Sequence, residues 1–493
     1  MTGNGRAILS AILWAACIFI VSGHAAGIVR TNGVPIAGND FPAFYCAGSA
    51  LLQHADPYAV EPLRSCEHAL PHGSDLPAQY VTPAPLPPYV LDLFALLAEL
   101  PYRIAAWLWF GVLLAACAWL AITVGRVSQL PSGAVASALL ISAVLGSVVF
   151  GQIPPLATLF IALCGAALLR GDDSLAAVCA AAATIEPHLG LPVALALFIL
   201  RPGTRAWLAG IGLACAALSV LALSPHGTLA YLTTALPAQA RAELISSDQF
   251  SLAHLLAFVH VPSSIALLGG TLSYLLMLVF GIFAANASAR RLDAAAIAYV
   301  PPAVALFGGA FLHEIQLVAA LPAAFLFVGR AAPLASWAGR FLIAAVAAVP
   351  FTLAMSHRPV LDVLALLCAT GALVDAVPFG ETIDFTHALG GFLLAAICVA
   401  LPLAAQQVLV PPAPSHVSQT SAPATNLAGE NWGAYLRSDP RYATPRLDAE
   451  ASKLPAWLGL AALLVSALGM GVTRLGPRTQ PAWDSRPRIH LSG

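Results

Sequence analysis

Residues 103–125 read RIAAWLWFGVLLAACAWLAITVG, and after Arg103 no charged side chain occurs in that stretch. A helix crosses a bilayer with roughly 20 predominantly apolar residues at about 1.5 Å each. Runs of the same kind cover 7–29, 131–150, 153–170, 204–223, 262–285, 293–311, 313–329, 335–355, 359–376, 383–409 and 456–475. Across all 493 residues, 59% are hydrophobic and 9% are charged. Soluble chains carry about 25% charged residues, so a surface this poor in charge implies a bilayer as solvent. The expected fold class is therefore an all-α polytopic membrane protein. The run 7–29 is read as an uncleaved anchor, because it is long and Arg30 follows without a small-residue cleavage site.

The same composition excludes several functions. Net charge is -1 and Lys453 is the single lysine, so no cationic patch exists to neutralise nucleic-acid phosphates. No Walker or Rossmann glycine pattern is present, which argues against nucleotide binding. No His, Cys or carboxylate cluster has metal-ligand spacing, so neither metal nor cofactor is expected. Cys17, Cys117, Cys164, Cys179, Cys215, Cys368 and Cys398 lie in apolar runs and read as small core residues. Cys46 and Cys66 lie in the first large polar segment, and a disulfide between them is open to that segment if it faces an oxidising compartment.

The stretch 174–200 is apolar but interrupted by Glu186-Pro187-His188. Proline lacks a backbone donor, and the residue before it avoids helical geometry. Two short helices forming a hairpin are predicted. Arginine placement gives the orientation. With the N-terminus cytoplasmic, Arg6, Arg126, Arg170, Arg201, Arg205, Arg290, Arg291, Arg330 and Arg340 fall inside, and a single crossing at 174–200 would scramble that pattern. The external segments include 30–100, whose stretch 88–100 is too short to span and reads as interfacial, and 224–261, amphipathic over 231–249. The segment 411–455 is rich in Pro, Ser, Ala and Thr and reads as flexible.

Counting spans puts Asp40, Gln152, Ser246-Ser247-Asp248-Gln249 and His313-Glu314 on one side of the membrane. Asp40 lies about ten residues past the first span, among aromatics, where partial desolvation raises a carboxyl towards general-base range. The plainer reading is a helix-start acid. Gln152 sits in a tight turn between two spans, suited to a sugar hydroxyl or a helix-end hydrogen bond. His313 opens an apolar helix, as either a helix-end residue or a phosphate or sugar contact. Glu186 and His188 are ionisable groups at membrane depth, which line cavities or pair with each other. Asp56-Pro57-Tyr58 reads as a turn, and Pro87-Pro88-Tyr89 as a helix start.

Asn39-Asp40-Phe41, Phe44-Tyr45-Cys46-Ala47-Gly48 and Asp56-Pro57-Tyr58 together resemble the opening signature of glycosyltransferase family 87. Pro87-Pro88-Tyr89, Pro101-Tyr102 with Trp109, Phe150-Gly151-Gln152 and Glu186-Pro187-His188 follow in the same order, covering roughly residues 1–330. The resemblance implies a glycosyltransferase C-type fold with about 12–14 membrane helices and interfacial helices in the first external loop. Residues 1–410 would form the transferase domain, with 30–100 as its external loop, 411–455 a flexible loop and 456–493 a last membrane helix and tail.

It further implies transfer of mannose or another hexose or pentose from a polyprenyl phosphate carrier to a lipid or polysaccharide acceptor. The enzyme would be a multi-pass protein of the plasma (inner) membrane, with its site facing the periplasm or exterior. Asp40 is the implied catalytic base, with Tyr45, Gln152, Glu186, His188, Asp248 and His313 as substrate-binding residues. One departure stands out: the family commonly has Lys-Pro where this chain has Glu186-Pro187. A lysine pairs with a donor phosphate and a glutamate repels it, so Arg205, Arg241 or His188 would substitute, or the member has lost activity. A transporter or lipid flippase would also explain the broken helix and Glu186, but not the long first loop.

Overall fold

The computed structural model describes residues 3–70, 76–142, 144–246, 248–331, 425–439, 450 and 453–472. The spans expected at 335–355, 359–376 and 383–409 lie outside the described residues. The helices are α1 (Gly3–Asn32), α2 (Asp40–Leu52), α3 (Val60–Ala69), α4 (Pro88–Ala98), α5 (Tyr102–Ser128) and α6 (Ser132–Ile141). Then come α7 (Val144–Phe150), α8 (Pro154–Arg170), α9 (Asp173–Ala183), α10 (Pro187–Leu200), α11 (Arg205–Ala230) and α12 (Leu236–Glu243). The series ends with α13 (Leu252–Phe258), α14 (Ser263–Ala289), α15 (Ala296–Ala305), α16 (Leu321–Leu326), α17 (Ala428–Ser438) and α18 (Leu454–Val472). A 3-10 turn over Glu314–Ala320 leads into α16 and a π turn over Phe327–Ala331 follows it, giving one continuous helical run.

Among the described residues, Ser10–Asn32, Tyr102–Ser128, Pro202–Glu243, Ser263–Ala289 and Glu314–Ala331 are long and apolar enough to cross a membrane. The protein is an all-α polytopic membrane protein. Proline opens α4, α8 and α10, where its missing donor costs nothing. Large apolar side chains such as Phe19, Leu221, Leu268 and Val279 stay exposed on α1, α11 and α14, a surface that lipid covers. The run Glu314–Ala331 and α15 are enclosed instead, packed among α5, α8, α10 and α14.

Three expectations are corrected. The stretch 131–150 is not one straight helix: α6 and α7 meet at 63°, as a broken span or a re-entrant pair. Ser142 causes the break, its hydroxyl donating back to Leu139 O at 2.8 Å while accepting the Val144 N–H at 3.4 Å. Serine at such a position offers the backbone an alternative to the helix. The helix expected over 293–311 stops at Ala305. Beyond it, the Gly309 N–H bonds Gly270 O and Ser273 Oγ of α14, so the neighbouring helix satisfies that backbone. Finally, the segment 411–455 contains α17. Its buried residues Ala428, Asn431 and Tyr435 recur at helical spacing, and it packs on α12.

The break at 184–186 makes a hairpin. Asp173 at the start of α9 and Arg201 just after α10 form an ion pair at 2.7 Å, so both ends return to one place. That end also holds Arg330, whose guanidinium donates to Val127 O and lies 3.7 Å from Asp293. The other end of α5, α8 and α10 carries the first loop. There Tyr89 of α4 donates to Thr184 O at 2.7 Å, and Tyr58 stacks on Tyr231. The Cys46–Cys66 disulfide ties α2 to α3. Gly48 lets α2 press on the α4 backbone, since a side chain there would collide with Phe94.

Candidate functional site

Asp40 is the first residue of α2, and aromatic packing sets its position. Phe41, fully buried, stacks on Trp109 of α5 at 6.3 Å and lies near Tyr102 and Phe94. Trp109 in turn donates to Gly151 O at 2.8 Å, and Ala37 N–H to Val149 O at 2.8 Å. Gly151 has φ +72, and a Cβ there would lie 2.6 Å from the Phe41 Cβ. Only glycine both adopts that backbone and admits Phe41. The turn so formed aims Gln152 at Asp40, and the two side chains are hydrogen-bonded.

The Asp40 carboxyl is held above its ordinary value. Burial is the largest cause; the Gln152 bond and nearby His313 pull it down, and Asp248 pushes it up. Asp40 retains partial exposure although protein surrounds its carboxyl. The N-cap of α2 is Asn39, which makes no side-chain capping bond. On the same loop, burial pushes fully buried Glu67 up to about 8, against one bond from the Thr82 N–H and with Asp40 raising it further.

The segments around 246–250 and 311–316 run side by side. Gln249 and His313 form an antiparallel bridge; Phe250 N–H donates to Leu312 O, and Leu312 N–H donates to the Gln249 side chain at 2.8 Å. The Gln249 amide nitrogen lies 3.1 Å from His313 Nε2, and Glu243 Oε2 lies 3.8 Å from the same atom. The Glu243 Oε1 accepts from Trp432 of α17 at 2.7 Å and from Gln239 at 3.1 Å. Gln316, three residues beyond His313, accepts the His313 N–H at 2.9 Å and donates to Glu186 at 2.7 Å. His188 Nδ1 lies 3.6 Å from Glu186, with its ring against Phe311 and Tyr274.

Asp40, Gln152, Asp248 and His313 thus form one cluster, and Glu186 and His188 join it through Gln316. Tyr45 does not: its hydroxyl donates to Leu100 O at 2.8 Å, and its ring packs edge-on against Tyr102. Sequence reasoning missed Glu243 and Gln316 as site residues and placed Gln249 on the shared side without giving it a role; the offset of three from His313 to Gln316 was legible only as a helix start. It also missed a second polar knot. Lys453, just before α18, donates to Gln249 O at 2.8 Å and to Glu450 at 2.7 Å, while Glu450 bonds His254 at 2.8 Å. Among the described residues no group of three or more His, Cys, Asp or Glu is arranged to hold a metal ion.

A many-helix membrane protein with a carboxylate, amides and imidazoles gathered at one end is suited to polar chemistry there. Residues 86–312 match the family model of glycosyltransferase family 87, which supports membership of the chain in that family and indicates a glycosyltransferase. The match takes in Gln152, Glu186, His188, Asp248 and His254; Asp40, Tyr45, His313, Glu450 and Lys453 lie outside it. No curated protein and no solved structure matches the chain.

Proposed function

We propose that the chain moves a sugar, mannose or another hexose or pentose, from a polyprenyl phosphate carrier to a lipid or glycan acceptor. The reaction takes place at the non-cytoplasmic face of the plasma (inner) membrane. The observation carrying this reading is Asp40: a carboxyl beyond the first span, raised by burial and bonded to Gln152. Asp40 takes the proton of an acceptor hydroxyl as that oxygen bonds the anomeric carbon. The bond from that carbon to the phosphate oxygen breaks on the opposite face, so the anomeric configuration inverts. Polyprenyl phosphate leaves as an anion and needs only hydrogen-bond donors or cations to stabilise its growing charge.

His313, His188 and Asp248 are the proposed substrate contacts, and Gln152 orients the base. Glu186 and Tyr45, also expected to touch substrate, have their polar atoms engaged by Gln316 and Leu100. Two features support the external side: the Cys46–Cys66 disulfide in the loop that carries Asp40, and the arginines at the opposite helix ends. Disulfides persist in oxidising compartments, and short cytoplasmic loops are arginine-rich.

The test is transfer from radiolabelled polyprenyl-phosphate mannose or arabinofuranose by the purified chain in proteoliposomes, followed by glycolipid profiling of a strain lacking it. General-base assistance is worth about 10²–10⁴-fold, so Asp40→Asn should lose about that much turnover while still inserting. Full turnover by Asp40→Asn, or movement of the lipid across the bilayer without covalent change, would overturn the proposal.

A further inference from the structure

Glu186 precedes α10 at its N-cap, where a carboxylate ordinarily accepts from the first turn of its own helix. It makes no such bond. Its Oε1 accepts instead from the Gln316 amide at 2.7 Å, across 130 positions of sequence. Gln316 is 4% exposed, so its amide must be matched by protein groups. The amide oxygen already faces the His313 N–H at 2.9 Å. A backbone N–H is only a donor, so the oxygen cannot turn away without leaving two donors opposed. The amide nitrogen therefore faces residue 186, which must present an acceptor. Glu186 does.

His313 is consequently gripped from two sides. Gln249 holds the preceding residue, through Leu312 N–H to Gln249 Oε1 at 2.8 Å. Gln316, oriented by Glu186, holds the His313 backbone itself. We propose that Glu186 is a positioning residue which, through the fixed orientation of the Gln316 amide, couples the break in the α9–α10 hairpin to the backbone of His313. The inference rests on the reading of His313 as part of the transfer site. In this role the acid needs no contact with the donor phosphate. Its requirement is for an acceptor at position 186, with negative charge secondary.

Four forms of the full chain in proteoliposomes test this. Glu186→Gln keeps an acceptor and should transfer within about threefold of the parent. Glu186→Lys opposes a donor to the Gln316 amide and should lower kcat about 10–100-fold, the range for a lost hydrogen bond to a charged group. Gln316→Glu opposes two carboxylates and should fall similarly. In the reversed pair Glu186→Lys with Gln316→Glu, one carboxylate serves both the new ammonium and the His313 N–H, and activity should return to within about threefold.

Amide hydrogen–deuterium exchange of the peptide spanning 311–316 gives a second readout that does not depend on transfer. Exchange should be slow in the parent, Glu186→Gln and the reversed pair, and at least about tenfold faster in either damaging single variant. If no form transfers a sugar, the proposed function fails, and the exchange pattern still decides the coupling. Parental exchange in Glu186→Lys, or a reversed pair no slower to exchange than its worse single variant, would overturn the inference.

Discussion

Two buried carboxylates at the same end of the molecule are held in opposite ways. Burial raises the Asp40 carboxyl, and its one bond to Gln152 and the nearby His313 do not reverse that rise. Burial also acts to raise Glu450, but bonds from His254 and Lys453 outweigh it, and the group ends below its ordinary value. Burial lowers Lys453 in turn, while Glu450 pulls it back up. A carboxylate bonded through one oxygen to both a lysine and a histidine is held as part of the fold, whereas one whose burial outweighs its bonds favours its protonated form. The knot of Lys453, Glu450 and His254 anchors the start of α18 to the chain around Gln249.

The comparison is broken most directly by exchanging the outcomes. Asp40→Asn should cost about 10²–10⁴-fold in turnover with no loss of Tm at neutral pH. Its raised pKa favours folding most fully below 3.8 and loses that contribution as pH rises through the folded value. The amide removes the burial cost that the ionised form carries. Lys453→Met should do the reverse. Losing one partner of a buried pair costs about 3–5 kcal/mol, and the lower figure is expected because His254 still faces Glu450. A thermal melt of the chain in detergent would read that fall. Little effect on the rate at saturating donor should accompany it below the melting range.

A pH profile sharpens the contrast. Transfer should rise with pH through the Asp40 value, along a limb lying above 3.8. Gln152→Ala should move the limb to higher pH, since the lost bond favoured the ionised form, and lower kcat at neutral pH by about tenfold. Glu450 behaves with the opposite sign: its lowered pKa stabilises the fold above 4.5 and loses that stabilisation as pH falls through the folded value. Tm should therefore fall in acid, and Glu450→Gln should remove that part of the decline. Gly151→Ala meets the Phe41 Cβ and a left-handed backbone at about 1–3 kcal/mol. It should lower transfer and stability together, by displacing Gln152.

Much of the architecture was readable because a bilayer imposes a simple rule on long apolar runs. The hairpin at Glu186-Pro187 followed from proline chemistry, and arginine spacing put Asp40, Gln152, Asp248 and His313 on one side. Glu243, Gln316, Glu450 and Lys453 were not readable as partners. A single glutamine three residues past a histidine says nothing of a glutamate 130 positions earlier, and a lone lysine does not name its acids.

Sequence alone determined the solvent of this protein and the break in its helical hairpin at Glu186-Pro187. Those properties depend on local hydrophobicity and on backbone donors lost within a few residues. Tertiary structure alone decided which polar atoms answer one another. It gave Asp40 an amide, Glu450 a lysine and a histidine, and Glu186 a glutamine from a distant turn. Hydrogen bonds are satisfied by whatever lies within about 3 Å, and that neighbour is chosen by packing between helices far apart along the chain.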